Sequence, residues 1–212
     1  MGEINKFLLE YVNKISSLSD QRTKIINSSI PKFIRNEINQ SLNAIAFRDY
    51  VIRDLFEISM RQSASHFVAL DKNSWNQFQD TIKLDLFSIH SNWSLEDGKD
   101  LADLSLHKRI YQNTDADAIV ICHPAEIYEL VLKNIDFLKT PHLPKSSIFD
   151  KFIVLQDDHF ETQDKFKRLM FSYEKGLISW GKSLFEAINQ IELLIFSAKV
   201  ALIHTGTSKK RS

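Results

Sequence analysis

The sequence predicts an α+β fold in one domain, with a helical N-terminal half followed by a half in which strands and helices mix. Three observations predict it. Apolar residues recur every three or four positions near the N-terminus (Ile4, Phe7, Leu8, Tyr11, Val12, Ile15), the period of an amphipathic helix. Four short apolar runs, AIVIC, FIVLQ, RLMFSY and LISW, appear only after residue 117. The last two flank Glu174-Lys175-Gly176, which reads as a hairpin with Gly176 at a positive φ.

Taken in order, the helical period runs from Ile4 to about Ile26, and Ser28, Ser29 and Pro31 punctuate it. Pro31 suits the first turn of a second helix carrying Phe33, Ile34 and Ile38, because the N–H it lacks has no helical partner there. LNAIAFRDYVIRDLFEISMRQ follows as one long helix, so residues 1–62 form a mainly helical segment. HFVAL, residues 66–70, reads as a strand. KNSWNQFQDTIKLDLFSIHSNW carries both periods: Trp75, Phe78 and Ile82 at helical spacing, IKLDLFSI in strand alternation. In the segment 118–212, Pro124 to Leu138 reads as a helix between AIVIC and FIVLQ, with Ile127, Leu130, Val131 and Ile135 turned to the sheet. The chain closes on IELLIFSAKVALI and His204-Thr205-Gly206.

With 212 residues the chain can bury roughly 70% of the surface its unfolded form exposes. It therefore needs no disulfide or structural metal. The 27 basic and 27 acidic residues cancel, which gives no support to direct nucleic-acid binding or to attraction by an anionic membrane. Only Lys209, Lys210 and Arg211 form a basic tail. One cysteine, Cys122, suits a reducing compartment. Glu3 and Glu10 argue against a signal peptide, and LLIFSAKVALI, interrupted by Lys199, is too short to cross a bilayer, so the expectation is a cytoplasmic protein without a membrane.

Candidate chemistry is sparse. Cys122 and His123, with Asp157, Asp158 and His159 after a later strand, offer metal-ligand atoms. Adjacent strand residues point to opposite faces, so Cys122 reads better as a small buried apolar residue and His123 as the end of the strand. The same divergence leaves Cys122 without an adjacent base as a nucleophile. No GxxxxGK[ST] or GxGxxG occurs, and Trp75, Trp93 and Trp180 are not interleaved with basic residues. Arg61 and His66 in RQSASH match the loose Arg-x4-His spacing of HEPN-type helical ribonucleases, where the histidine would act on a 2′-hydroxyl and the arginine on phosphate charge.

The order of landmarks in the second half is more specific. AIVICHPAEIYELVLKNIDF runs a strand through a His-Pro junction into a helix, and FDKFIVLQDDHF ends a strand at Asp157 and Asp158. RLMFSYEKGLISWG makes the hairpin, and KVALIHTG ends the chain as a strand leading to His-x-Gly. In this order they resemble the major capsid proteins of tailed phages and the encapsulins. That resemblance implies a structural subunit, not an enzyme, that assembles into a capsid or capsid-like shell, in the cytoplasm or as part of a virion. Its partners would be copies of itself and other shell or scaffold proteins, with His123-Pro124 only a corner and the N-terminal helix an arm. It implies no catalytic, cofactor-binding or metal residue. The alternatives are a helical protein-interaction module, or the ribonuclease using Arg61 and His66.

Overall fold

The computed structural model describes residues 29–46, 48–52, 55–71, 83–90, 104–133, 152–154 and 168–208. The expected N-terminal helix over 4–26 lies outside them, as do Asp157, Asp158 and His159. The first helix that lies wholly within the described residues is α1 (Lys32–Ile45). Ile34, Ile38, Leu42 and Ile45 fall on one face of it at spacings of four, four and three, and all are buried. Pro31 sits at the N-cap, and its carbonyl accepts hydrogen bonds from the backbone N–H groups of Ile34 and Arg35 at 3.1 and 3.3 Å.

Next come β1 (Glu57–Arg61), β2 (His66–Leu70), β3 (Leu84–Ser88), α2 (Ser105–Asn113), β4 (Ala118–Cys122) and α3 (Ala125–Leu132). β5 (Phe152–Val154), β6 (Leu169–Ser172), β7 (Gly176–Gly181) and α4 (Leu184–Ser208) complete the described chain. The strands join in one seven-stranded sheet of order β3-β2-β1-β4-β7-β6-β5. Every neighbouring pair is antiparallel except β5 and β6.

Three layers result. On one face Ile58, Met60, Val68, Val120, Cys122, Phe171 and Leu177 pack with α1, α3 and α4 in one buried cluster. On the other, Phe67, Ala69, Phe87, Ile119, Ile121, Met170, Ile178 and Trp180 pack with Leu106, Ile110 and Tyr111 of α2. Double burial explains why AIVIC is apolar at every position instead of alternating.

Two expectations about the fold are corrected. The helical first half is wrong, because LNAIAFRDYVIRDLFEISMRQ breaks after Ile45 and its EISMR becomes β1, at the middle of the sheet. Ile58 and Met60 face one helical layer while Ser59 faces the other, a period of two that a helix cannot offer. The capsid-like fold is also wrong, since one sheet takes strands from both halves and KVALI lies inside α4, not in a closing strand. From Leu184 to Thr205 this helix is long and apolar enough to cross a membrane, yet half of that stretch is buried against the rest of the protein. Its apolarity serves the core.

Candidate active site

β4 stops at His123-Pro124, and the structural reasons lie on three elements. Pro124 (φ −72°, ψ 122°) carries no N–H for a further ladder bond and caps α3, whose Ile127 donates to its carbonyl at 3.1 Å. The N–H of His123 turns away to the carbonyl of Tyr50, 3.4 Å distant. Across the sheet the β6–β7 turn closes with Gly176 at φ 81°. A methyl group on Gly176 would stand 2.5 Å from the Cys122 carbonyl oxygen and 2.9 Å from ring atoms of His123. Only glycine lets the turn come this close to the imidazole.

The imidazole Nδ1 is hydrogen-bonded to the Tyr128 hydroxyl at 2.8 Å, with the rings nearly parallel and their centroids 6.1 Å apart. Tyr128 reaches this position one turn into α3, its ring held edge-on against Phe171 at 4.8 Å. Partial burial raises the pKa of its phenol. His123 and Tyr128 thus make a pair that can hold or pass a proton at the edge of an open groove, alongside Ile52, Leu55 and Leu132. The sequence marked His123 as a corner and did not mark Tyr128. The five-residue spacing from His123 gives no signal until Pro124 fixes where α3 begins.

Cys122 is fully buried in the core between the sheet and α1, α3 and α4, and burial alone pushes its thiol far above the ordinary range. It is a core residue and carries no thiolate for catalysis or for a metal.

A second constellation lies inside the protein. The imidazole of His107 on α2 is hydrogen-bonded through Nδ1 to Ser59 Oγ at 2.7 Å and through Nε2 to Glu57 at 2.9 Å, and Ser59 also meets the Tyr111 hydroxyl at 2.8 Å. Serine, histidine and carboxylate stand in the order of a hydrolytic triad. Ser59 and His107 have no solvent exposure, however, so no substrate reaches the hydroxyl. The network ties α2 to β1 and satisfies polar groups that would otherwise be costly to bury. Burial drives the Tyr111 phenol well above its usual range, although its bond to Ser59 and the nearby Arg61 oppose the shift.

Arg61 and His66 do not form a ribonuclease site. They occupy the ends of the β1–β2 hairpin, not a helix. Arg61 donates to the carbonyls of Ala116 and Tyr111 at 2.8 Å each and lies 4.9 Å above the Tyr111 ring, while His66 Nδ1 pairs with Ser65 Oγ at 2.8 Å. The arginine is committed to holding the turn between α2 and β4.

A model of one protein family, the class II aldolase and adducin N-terminal domain, matches residues 57–202. The chain belongs to that family. Among solved structures it is similar to YgbL of Escherichia coli, provisionally described as an aldolase/epimerase/decarboxylase, at 18% identity and a TM-score of 0.59, covering 80% of this chain and 88% of that one. It is also similar to an aldolase II superfamily protein from Pseudomonas syringae, at 15% identity and 0.60, over 82% of this chain and 76% of the other. L-fuculose-1-phosphate aldolase from Thermus thermophilus matches at 15% and 0.59, over 83% and 97%. No curated protein matches the chain in sequence. At these identities the structures establish the shared fold, and the family match stands beside them.

The resemblance to capsid proteins and encapsulins is therefore overturned, and with it the shell subunit, the phage or virion setting, the shell and scaffold partners and the non-enzymatic expectation. The strand, His-Pro corner, helix and hairpin that carried the resemblance are common parts of α/β folds. The interaction-module and ribonuclease alternatives fall with it. Self-association remains in keeping with the family.

Class II aldol chemistry implies a divalent metal that polarises a carbonyl. The described residues do not fit one. Among them no three His, Cys, Asp or Glu side chains come together. Behind His123 on the strand, Ile121 is buried in the core, and burial pushes the Cys122 thiol up so that it stays protonated. A lone imidazole whose strand neighbours are an alkyl side chain and a buried thiol is not a divalent-cation site.

Proposed function

We propose that the protein is an enzyme of aldolase or epimerase type, acting beside the carbonyl of a small hydroxy-carbonyl compound at the His123–Tyr128 corner. The observation that carries this reading is the 2.8 Å hydrogen bond between these two side chains at the end of β4, inside the span matched by the aldolase family. Aldol cleavage and epimerisation both require a proton to be moved to or from a hydroxyl or a carbon next to a carbonyl. An imidazole hydrogen-bonded to a phenol is suited to that exchange. The related structures include enzymes that act on a sugar phosphate, L-fuculose 1-phosphate, which makes sugar phosphates the first compounds to try. Cytoplasmic residence belongs to the same proposal and rests on the single buried thiol.

The test offers the purified protein a panel of phosphorylated and unphosphorylated hydroxy-ketones and measures aldehyde release and C-epimer formation. Turnover should appear and fall by about 10²- to 10⁴-fold in His123→Ala, with a smaller loss in Tyr128→Phe. No turnover on any compound, or turnover that His123→Ala leaves intact, overturns the proposal.

A further inference from the structure

The groove in front of His123 carries its own chemical signature. It is open, about 570 Å³ in volume, and lined by Ile52, Leu55, Ala125, Leu132, Tyr128 and His123, with almost wholly apolar walls. Three of these side chains are unusually exposed for their type: Ile52 and Leu55 at 45% and Leu132 at 72%. The charged side chains on its rim, Glu129 on α3 and Lys133 at its C-cap, lie one helical turn apart and are paired with each other. A phosphate or polyol in this groove would give up water against carbon, and the one cation there among the described residues already holds a carboxylate.

A second cavity, of about 320 Å³ and richer in charge, does not change this. Its cations are also committed, Arg48 to Glu192 and Lys199 to Glu126, each at 3.1 Å.

Resting on the function proposed above, we infer that the groove takes the hydrocarbon part of the substrate. The compound presents its carbonyl or hydroxyl to His123 and lays an alkyl or aryl substituent along Ile52, Leu55 and Leu132. The preferred substrate class is then a hydroxy-ketone or hydroxy-aldehyde with an apolar tail, in contrast to the sugar phosphate named for the related aldolases. Ile52, Leu55 and Leu132 are the specificity-determining residues. Transfer of each added methylene out of water should tighten binding by about three- to fourfold until the groove is filled.

The experiment has two arms on the full chain. In the first, binding of unreactive 2-alkanones, from butanone to nonanone, is measured by calorimetry for the wild type, Leu132→Glu and Ile52→Ser. Both replaced side chains are exposed, so the variants should keep the wild-type melting temperature. Affinity should climb along the series in the wild type and fall at least tenfold for the longest ketone in each variant. Affinity that is flat along the series, or equal in the variants, overturns the inference. So does a light-scattering mass that drops in Leu132→Glu, which would assign the groove to a second copy of the chain. In the second arm, kcat/KM is compared for alkyl-substituted and phosphorylated hydroxy-ketones. Alkanone binding without turnover leaves the groove standing and sinks the enzymatic reading, whereas turnover of phosphorylated compounds without alkanone binding does the reverse.

Discussion

Replacing His107 by leucine removes the centre of the buried network while keeping a side chain of similar bulk on α2. Two hydrogen bonds disappear, to Ser59 at 2.7 Å and to Glu57 at 2.9 Å. The first is to an uncharged hydroxyl inside the core and contributes about 0.5–1.5 kcal/mol; the second involves a carboxylate and contributes about 1.5–3 kcal/mol. Ser59 keeps Tyr111 as a partner, so its hydroxyl is not orphaned. The expected loss is therefore about 2–4 kcal/mol, toward the lower end if leucine fills the space well. For a chain of this length that lowers Tm by roughly 4–16 °C, at about 2–4 °C per kcal/mol. Urea unfolding followed by far-UV circular dichroism measures it, with Ser59→Ala and the double variant completing a cycle. The two changes should be non-additive by about 1 kcal/mol, because they share one hydrogen bond. A loss below about 0.5 kcal/mol in His107→Leu, or strict additivity with Ser59→Ala, refutes the view that this network holds α2 to β1.

Alkali should destabilise the fold. Cys122, Tyr50, Tyr111 and Tyr128 all have acid pKa values raised in the folded state, chiefly by burial, from ordinary values of 9.0 for the thiol and 10.0 for the phenols. The unfolded chain therefore releases these protons first, and stability is kept below about pH 8.5 and lost as pH rises through 9 and 10. A urea midpoint that stays level from pH 8 to 10.5 would contradict it. In the native state the Cys122 thiol should resist a thiol-reactive dye at pH 8 and react at once in urea. Gly176→Ala should cost about 2–4 kcal/mol, since it combines a positive φ with a methyl group 2.5 Å from a backbone oxygen, and it should shift the NMR signals of His123; unchanged signals and stability would refute the close-approach argument. Arg61→Ala should lower stability by about 2–3 kcal/mol by releasing the Ala116 and Tyr111 carbonyls, with RNA left intact by wild type and variant alike; RNA cleavage that this variant abolishes would reinstate the ribonuclease.

Local pattern alone located much of the fold. HFVAL, AIVIC, FIVLQ, RLMFSY and LISW all contain observed strands, and Gly176 has the positive φ its turn demands. Each is dictated by side chains a few residues apart, through strand propensity or the freedom of glycine at φ > 0. EISMR failed as a strand because it follows helical residues without a break, and its alternation becomes decisive only once β2 and β4 pair with its two edges. KVALI carries an apolar run that suits either period, and the space beside β4 and β7 decides for α4.

The site depended still more on distance along the chain. His123 and Tyr128 are near neighbours in sequence, but what sets them against Gly176 is the pairing of Cys122 with Leu177. His107 finds Ser59 and Glu57 about fifty residues away. The sequence by itself determined where strands and turns can form, because those depend on nearest neighbours. Only the tertiary structure decided which strands pair and which polar side chains meet, because hydrogen bonds and burial are satisfied between segments that no local pattern connects.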